Sequence, residues 1–245
     1  MKRFILIFLI SFSAFANFNH EHSRWDRILK EYTVQDNHQV LFKYKKLKDS
    51  ESKLDAYLNE LESINKTEFD KFSREEQLAF WLNAYNAYTI KIILNHYPVK
   101  SIKDIESGLF SSGPWKMKFI PLFGKKMSLD DIEHETIRKN FDEPRIHFAV
   151  NCASIGCPSL LQETFTAAKL EVQLEKAAHH FLTNTDKNEL KENTLYLSKI
   201  FKWYGDDFNQ KYSGFKKYVI KTLNLPNRNY EIKFKEYDWN LNESK

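Results

Sequence analysis

The sequence predicts an α+β fold: a mostly helical single domain with a small, largely antiparallel sheet and one buried central helix. Three observations carry that expectation. Leu78 to Leu94 is apolar on nearly every side, several other segments repeat apolar residues at helical spacing, and the remaining short apolar runs are bounded by turn residues as strands are. With 20 Phe, 12 Tyr and 5 Trp in 245 residues, and only 6 Gly and 6 Pro, the chain can bury one sizeable core and has no linker-like stretch.

Taken in order, Met1-Lys-Arg, the apolar run from Phe4 to Phe12 and Ala14-Phe15-Ala16 have the charged, apolar, small-x-small order of a cleavable secretory signal. The expectation is a signal peptide over 1–16 and a single globular domain over 17–245. The apolar run is well short of the roughly 20 residues needed to cross a bilayer, so the mature chain is expected to have no membrane span and to be exported, to a periplasm or outside the cell. The formal net charge of +4 falls to +2 once Lys2 and Arg3 leave with the signal, too balanced for a nucleic-acid footprint. No G-x-G-x-x-G or P-loop is present and no cofactor is expected.

Arg24 to Tyr32 suits a short amphipathic helix and Val40 to Tyr44 a short strand. Leu54, Tyr57, Leu58, Leu61 and Ile64 recur at helical spacing after Ser50, a candidate N-cap. Ser73 and Glu76 form a capping-box pair ahead of the all-apolar helix. That helix carries Asn83 and Asn86 on one face, and buried amides must find partners, either nearby loop backbone or a ligand. Trp115 to Leu129, with Pro121 and Gly124 inside it, reads as a hairpin or a looser extended pair. Ser128-Leu-Asp-Asp131 opens a helix with an acidic start and Arg138 and Lys139 at its end, as the helix dipole favours. Arg145 to Val150 is the best candidate for a buried strand, followed by a cysteine loop and a helix from near Thr166 that buries Leu170, Leu174, Ala177 and Phe181. Thr194 to Ser198 reads as a strand, Gly214 to Leu223 as a helix, and the alternation of Tyr230, Ile232 and Phe234 with charged residues as an edge strand. His179, His180, His20 and His22 read as solvated surface residues.

Four ordered blocks resemble the domain-of-unknown-function family DUF547: Phe80 to Asn86, Ser128 to His134, Pro144 to Cys152 with Gly156-Cys-Pro158, and Tyr237 to Asn242. The similarity is strongest over about 70–185. That family occurs in exported bacterial proteins and at the C-terminal end of plant proteins with a leucine-zipper region. The resemblance implies no reaction. It does mark Asn83, Asn86, Glu133, His134, Arg145, His147, Asn151, Cys152, Cys157 and Pro158 as the residues that recur in its blocks. Many members carry Ser where this chain has Gly156.

The two cysteines, Cys152 and Cys157, leave four chemistries open: a nucleophile, a pair of metal ligands, a redox couple and a structural staple. In an exported protein they can close a disulfide around a short loop, with Gly156 supplying an unusual backbone angle. Cys152 can instead be a nucleophile, with His134 or His147 as base, Glu133, Asn83 or Asn151 as orienters, and the N–H groups of Ala153 to Gly156 around an oxyanion. An extended Arg145 to Val150 would hold His147 far from Cys152, which favours His134. Glu133 and His134, about 100° apart on a helix, do not easily face one ion, so no metal is expected. Two functions follow as expectations. One is a thiol-dependent hydrolase or acyl-transferase-like enzyme, with Asn86, Arg145 and Asn151 contacting an envelope peptide or amide. The other is a non-catalytic binding or scaffold domain, stapled by the disulfide, for a small-molecule or peptide ligand.

Overall fold

The computed structural model describes residues 18–105 and 113–244; the expected signal peptide lies outside them. The chain opens with α1 (Ser23–Tyr32), then the antiparallel pair β1 (Thr33–Asp36) and β2 (Gln39–Phe42), then α2 (Tyr44–Lys48) and α3 (Ser52–Glu62). Leu54, Tyr57, Leu58 and Leu61 of α3 are buried as their spacing requires. The expected cap is not used: Glu51 occupies the capping position with helical angles and no side-chain bond to the first turn.

After the short α4 (Lys66–Phe69) comes α5 (Arg74–His96), the organising element of the fold. Ser73 accepts from the Glu76 N–H at 3.1 Å and Glu76 accepts from the Ser73 N–H at 2.7 Å, closing the capping box. Downstream, all residues from Leu78 to Ile90 are buried, so other elements wrap the helix on every side. Each large apolar side chain fully removed from water there contributes about 1.5–3 kcal/mol. Among the described residues no helix is long and apolar enough to cross a membrane.

Strands β3 (Ile120–Leu122) and β4 (Lys125–Met127) form the expected hairpin. Its two-residue turn, Phe123 and Gly124, has φ of 53° and 71°, the left-handed pair that a tight antiparallel connection needs. Ser128 and Asp131 then exchange bonds, Oδ2 of Asp131 accepting from the Ser128 N–H at 2.7 Å. The helical segment beyond them is wider than an α-helix. Asp131–Ile137 is a π-helix, in which the Arg138 N–H reaches the Glu133 carbonyl, and it ends in the single turn α6 (Arg138–Asn140).

The expected strand at Arg145 to Val150 is replaced by a 3-10 turn, Pro144–Phe148. Its residues are buried as anticipated, but no strand pairs with them, because Phe148 instead seats among Phe181, Phe201, Phe208 and Tyr218. A short, mostly apolar stretch fits either geometry, and the aromatic cluster decides. The correction matters for the site, since a coiled segment removes the separation between His147 and Cys152 that an extended one would impose.

The expected helix from near Thr166 forms as a 3-10 turn and α7 (Leu170–Thr183). Next come β5 (Glu189–Lys191), β6 (Thr194–Leu197), α8 (Ile200–Tyr204), the turn Gly205–Asp207, α9 (Phe208–Tyr212), α10 (Phe215–Thr222) and β7 (Glu231–Phe234). Strand β7 lies at the edge of the sheet β5-β6-β7 and runs parallel to β6, while the other strand pairs are antiparallel. The tail from Tyr237 returns across the molecule: Ile155 and Gly156 donate to the carbonyls of Asn240 and Asp238, and Asn242 donates to Ala153.

His22 corrects the surface reading. It is 1% exposed, its Nδ1 lies 2.8 Å from the Tyr57 hydroxyl, and burial, reinforced by His20, pushes its pKa from 6.5 down to about 3.

Candidate functional site

The π-turn, the 3-10 turn at Pro144–Phe148, the cysteine loop, α8 and the C-terminal tail enclose a cavity of about 370 Å³. One side is aromatic. Tyr237 and Trp239 lie 4.6 Å apart, Trp203 is 4.9 Å from Tyr237, and Trp115 is 5.8 Å from Trp239, all between ring centroids. The other side carries Asp130, Glu133, His134 and His147.

His147 is held from two directions. Its Nε2 lies 2.7 Å from Oδ2 of Asp207, and its ring stacks on Tyr204 at 4.1 Å. A carboxylate only accepts, so Nε2 is the donor. Asp207 is also gripped by both Nε and an Nη of Arg138, each at 2.7 Å. Burial alone would raise the Asp207 carboxyl, but the bonds from His147 and Arg138 outweigh it and hold it well below the carboxylate range. With Nε2 committed, Nδ1 is the nitrogen left for chemistry, and it faces Oε1 of Glu133 at 3.8 Å.

Glu133 is 5% exposed, and the phenols of Tyr85 and Tyr204 sit against it. Burial first, and then the charge of Glu133, push both phenols well above their ordinary range, so they stay protonated as hydrogen-bond donors. His134 accepts at Nδ1 from Arg138 at 3.2 Å and turns Nε2 toward Asp130, 3.7 Å away. Asp130 is raised, chiefly by burial, with His134 opposing. Glu133 and His134 both reach the cavity from the widened turn. Among the described residues no group of three or more His, Cys, Asp or Glu is arranged to hold a metal ion.

Cys152 and Cys157 are joined by a disulfide, with Cα atoms 6.0 Å apart. Both line the cavity, Cys152 half-buried and Cys157 2% exposed. The Tyr237 hydroxyl lies 3.2 Å from each sulfur, Ser154 Oγ lies 3.3 Å from Cys152 Sγ, and the Cys152 N–H donates to Cys157 Sγ at 2.8 Å. The loop backbone does not form the expected oxyanion pocket. The N–H groups of Ala153, Ile155 and Gly156 are spent on Asn151, Asn240 and Asp238. Gly156 is present for space, not for angle: a Cβ there would meet the Asp238 carbonyl and the Tyr237 ring at 2.9 Å, while the left-handed residue of the loop is Ala153, at φ 59°.

The other residues singled out from the sequence stand behind the cavity wall. Asn83 donates to the Phe165 carbonyl at 2.7 Å and accepts from the Phe165 N–H at 3.0 Å. Asn86 donates to Ala149 and accepts from Asn151, and Asn151 ties Ala153 to Pro158. Arg145, buried, makes paired bonds to both Glu143 and Glu171 and a longer one to Glu175. Of the nine residues expected at a site, Glu133, His134, His147, Cys152 and Cys157 line the cavity and Asn83, Asn86, Arg145 and Asn151 do not.

Asp207, Tyr204, Trp203 and Trp239 are site residues that the sequence reading does not supply. The Tyr237 to Asn242 block is a signal for part of this wall, whereas nothing in the sequence around Gly205–Asp207 marks Asp207 as a partner for a histidine 60 residues away.

Residues 69–182 match a family model described as a protein of unknown function, DUF547. No curated protein and no solved structure matches the chain.

Proposed function

Starting from the match of residues 69–182 to the DUF547 family, we propose that the cavity is a hydrolytic site in which His147 acts as general base on a water. The observation that carries this reading is the fixed tautomer of His147, held by Asp207 with Nδ1 left toward Glu133 and the cavity. Asp207 stabilises the imidazolium that forms when His147 takes the proton, and Arg138 keeps Asp207 in place. Glu133 lies on the far side of Nδ1, where its negative charge favours the same imidazolium. Raised Asp130 and the neighbouring His134 are the groups suited to return a proton to a leaving amine.

Water takes the place of Cys152 as attacking group, because a sulfur in a disulfide has no thiolate to offer. The aromatic side favours a substrate with apolar or ring-bearing groups flanking an amide or peptide bond. The charged, apolar, small-residue order over 1–16 and the closed disulfide support an exported protein, where such a bond persists. The test is cleavage of a panel of short peptide amides with apolar and aromatic side chains by the bond-closed protein, read by mass spectrometry. Cleavage that falls by about 10²-fold or more in Asp207→Asn supports the assignment. Cleavage indifferent to Asp207 overturns the assignment of His147 as base, and no cleavage of any member overturns the hydrolytic reading in favour of a binding domain, which the closed disulfide also suits.

A further inference from the structure

We infer that the Cys152–Cys157 disulfide is a redox-active centre that exchanges with substrate thiols entering the cavity, an activity separate from hydrolysis at His147. Three observations converge on it. The first is that the loop does not need the bond to hold its shape. Its backbone is tied to the tail at Ile155, Gly156 and Ala153, braced inside by Asn151, and bridged by Ser154 against Leu241. Lys187 adds a bond to the Cys157 carbonyl. A cross-link over so short a loop removes little chain entropy from a segment already fixed this way.

The second observation is the asymmetry of the sulfurs. Cys152 is half-buried in the wall of the cavity, whereas Cys157 is 2% exposed. An incoming thiolate therefore meets Cys152. The third is that the buried sulfur already has the environment a leaving thiolate requires. The Cys152 N–H donates to Cys157 Sγ at 2.8 Å and the Tyr237 hydroxyl stands 3.2 Å from it. Donors directed at a sulfur favour its anion, and they are in place before the bond opens.

The step balances for a dithiol substrate. One substrate thiol gives up its proton, to His147 or water, and its sulfur attacks Cys152 Sγ. The bond between Cys152 and Cys157 breaks, a mixed disulfide forms at Cys152, and Cys157 leaves as thiolate. The second substrate thiol, deprotonated in turn, attacks the substrate sulfur of that mixed disulfide and releases Cys152. The substrate leaves oxidised to a disulfide, the protein pair is reduced, and the two substrate protons end on Cys152 and Cys157.

Folded protein incubated with excess reduced glutathione and trapped with iodoacetamide tests the inference without reference to hydrolysis. The expected result is that the pair opens and is alkylated while the near-ultraviolet circular dichroism of the folded aromatic wall persists. Cys157→Ser, treated with oxidised glutathione, is expected to capture glutathione on Cys152 at least tenfold faster than Cys152→Ser captures it on Cys157. Tyr237→Phe is expected to slow opening of the wild-type pair. Should either serine variant fail to fold, the wild-type measurement decides. A pair that glutathione opens only in denaturant, or serine variants that capture it equally, overturns the inference.

Discussion

The Nε2 of His147 stands 2.7 Å from Oδ2 of Asp207, and the same carboxylate takes two further 2.7 Å bonds from Arg138. Three elements meet in this contact: the buried 3-10 turn carrying His147, the turn Gly205–Asp207, and the end of the π-turn carrying Arg138. The arrangement fixes which imidazole nitrogen is free and directs it at Glu133 and the cavity. Asp207 lies outside 69–182, so this contact draws on more of the chain than the stretch matching DUF547.

His22 makes stability pH-dependent. Its folded pKa of about 3 is depressed below the ordinary 6.5, so the folded state disfavours the protonated form. Its stabilisation is present above pH 6.5 and is lost as pH falls from there toward 3. The loss runs at about 1.4 kcal/mol per pH unit, hence roughly 2 kcal/mol between pH 6.5 and 5. Urea denaturation across that range should show this slope in the wild type and a flatter one in His22→Gln. Equal slopes would remove His22 as the cause.

Asn83→Leu should destabilise the fold. Both amide atoms of Asn83 serve the backbone of Phe165, and leucine would orphan the buried Phe165 N–H and leave its carbonyl only the 3.4 Å bond from Thr164 Oγ1. At about 1–3 kcal/mol for the orphaned N–H and less for the carbonyl, the expected loss is roughly 1–5 kcal/mol in denaturant titration. Wild-type stability in this variant would mean that the loop at Phe165 is secured elsewhere.

Gly156→Ser should be unfavourable in this chain. Its Cβ would meet the Asp238 carbonyl and the Tyr237 ring at 2.9 Å, and the tail would have to move away. A cost of about 1–3 kcal/mol is expected, together with changed fluorescence from Trp239, which packs on Tyr237. A neutral substitution would show that the tail yields freely.

Much of this fold is legible in the sequence because it rests on local chemistry. The capping box at Ser73 and Glu76 and the all-round apolar run after it announce α5, and Gly124 announces the hairpin. The failures arise where distant packing overrides local pattern. Arg145 to Val150 coils because Phe148 docks among aromatics from four later segments. The widened turn at Glu133 and His134 carries no local pattern that separates it from an ordinary helix. Glu133, His134, His147 and both cysteines can be named from the sequence because they fall in the blocks that resemble the DUF547 family. Asp207 cannot, since its role exists only once the chain has folded.

The most direct measurement is the amide-cleavage rate of His147→Gln set beside that of His134→Gln, in bond-closed protein at neutral pH. The expected result is a loss of about 10²-fold or more for His147→Gln and a clearly smaller loss for His134→Gln. A His147→Gln protein that cleaves as fast as wild type, or a larger loss at His134, would contradict the assignment of His147 as the base.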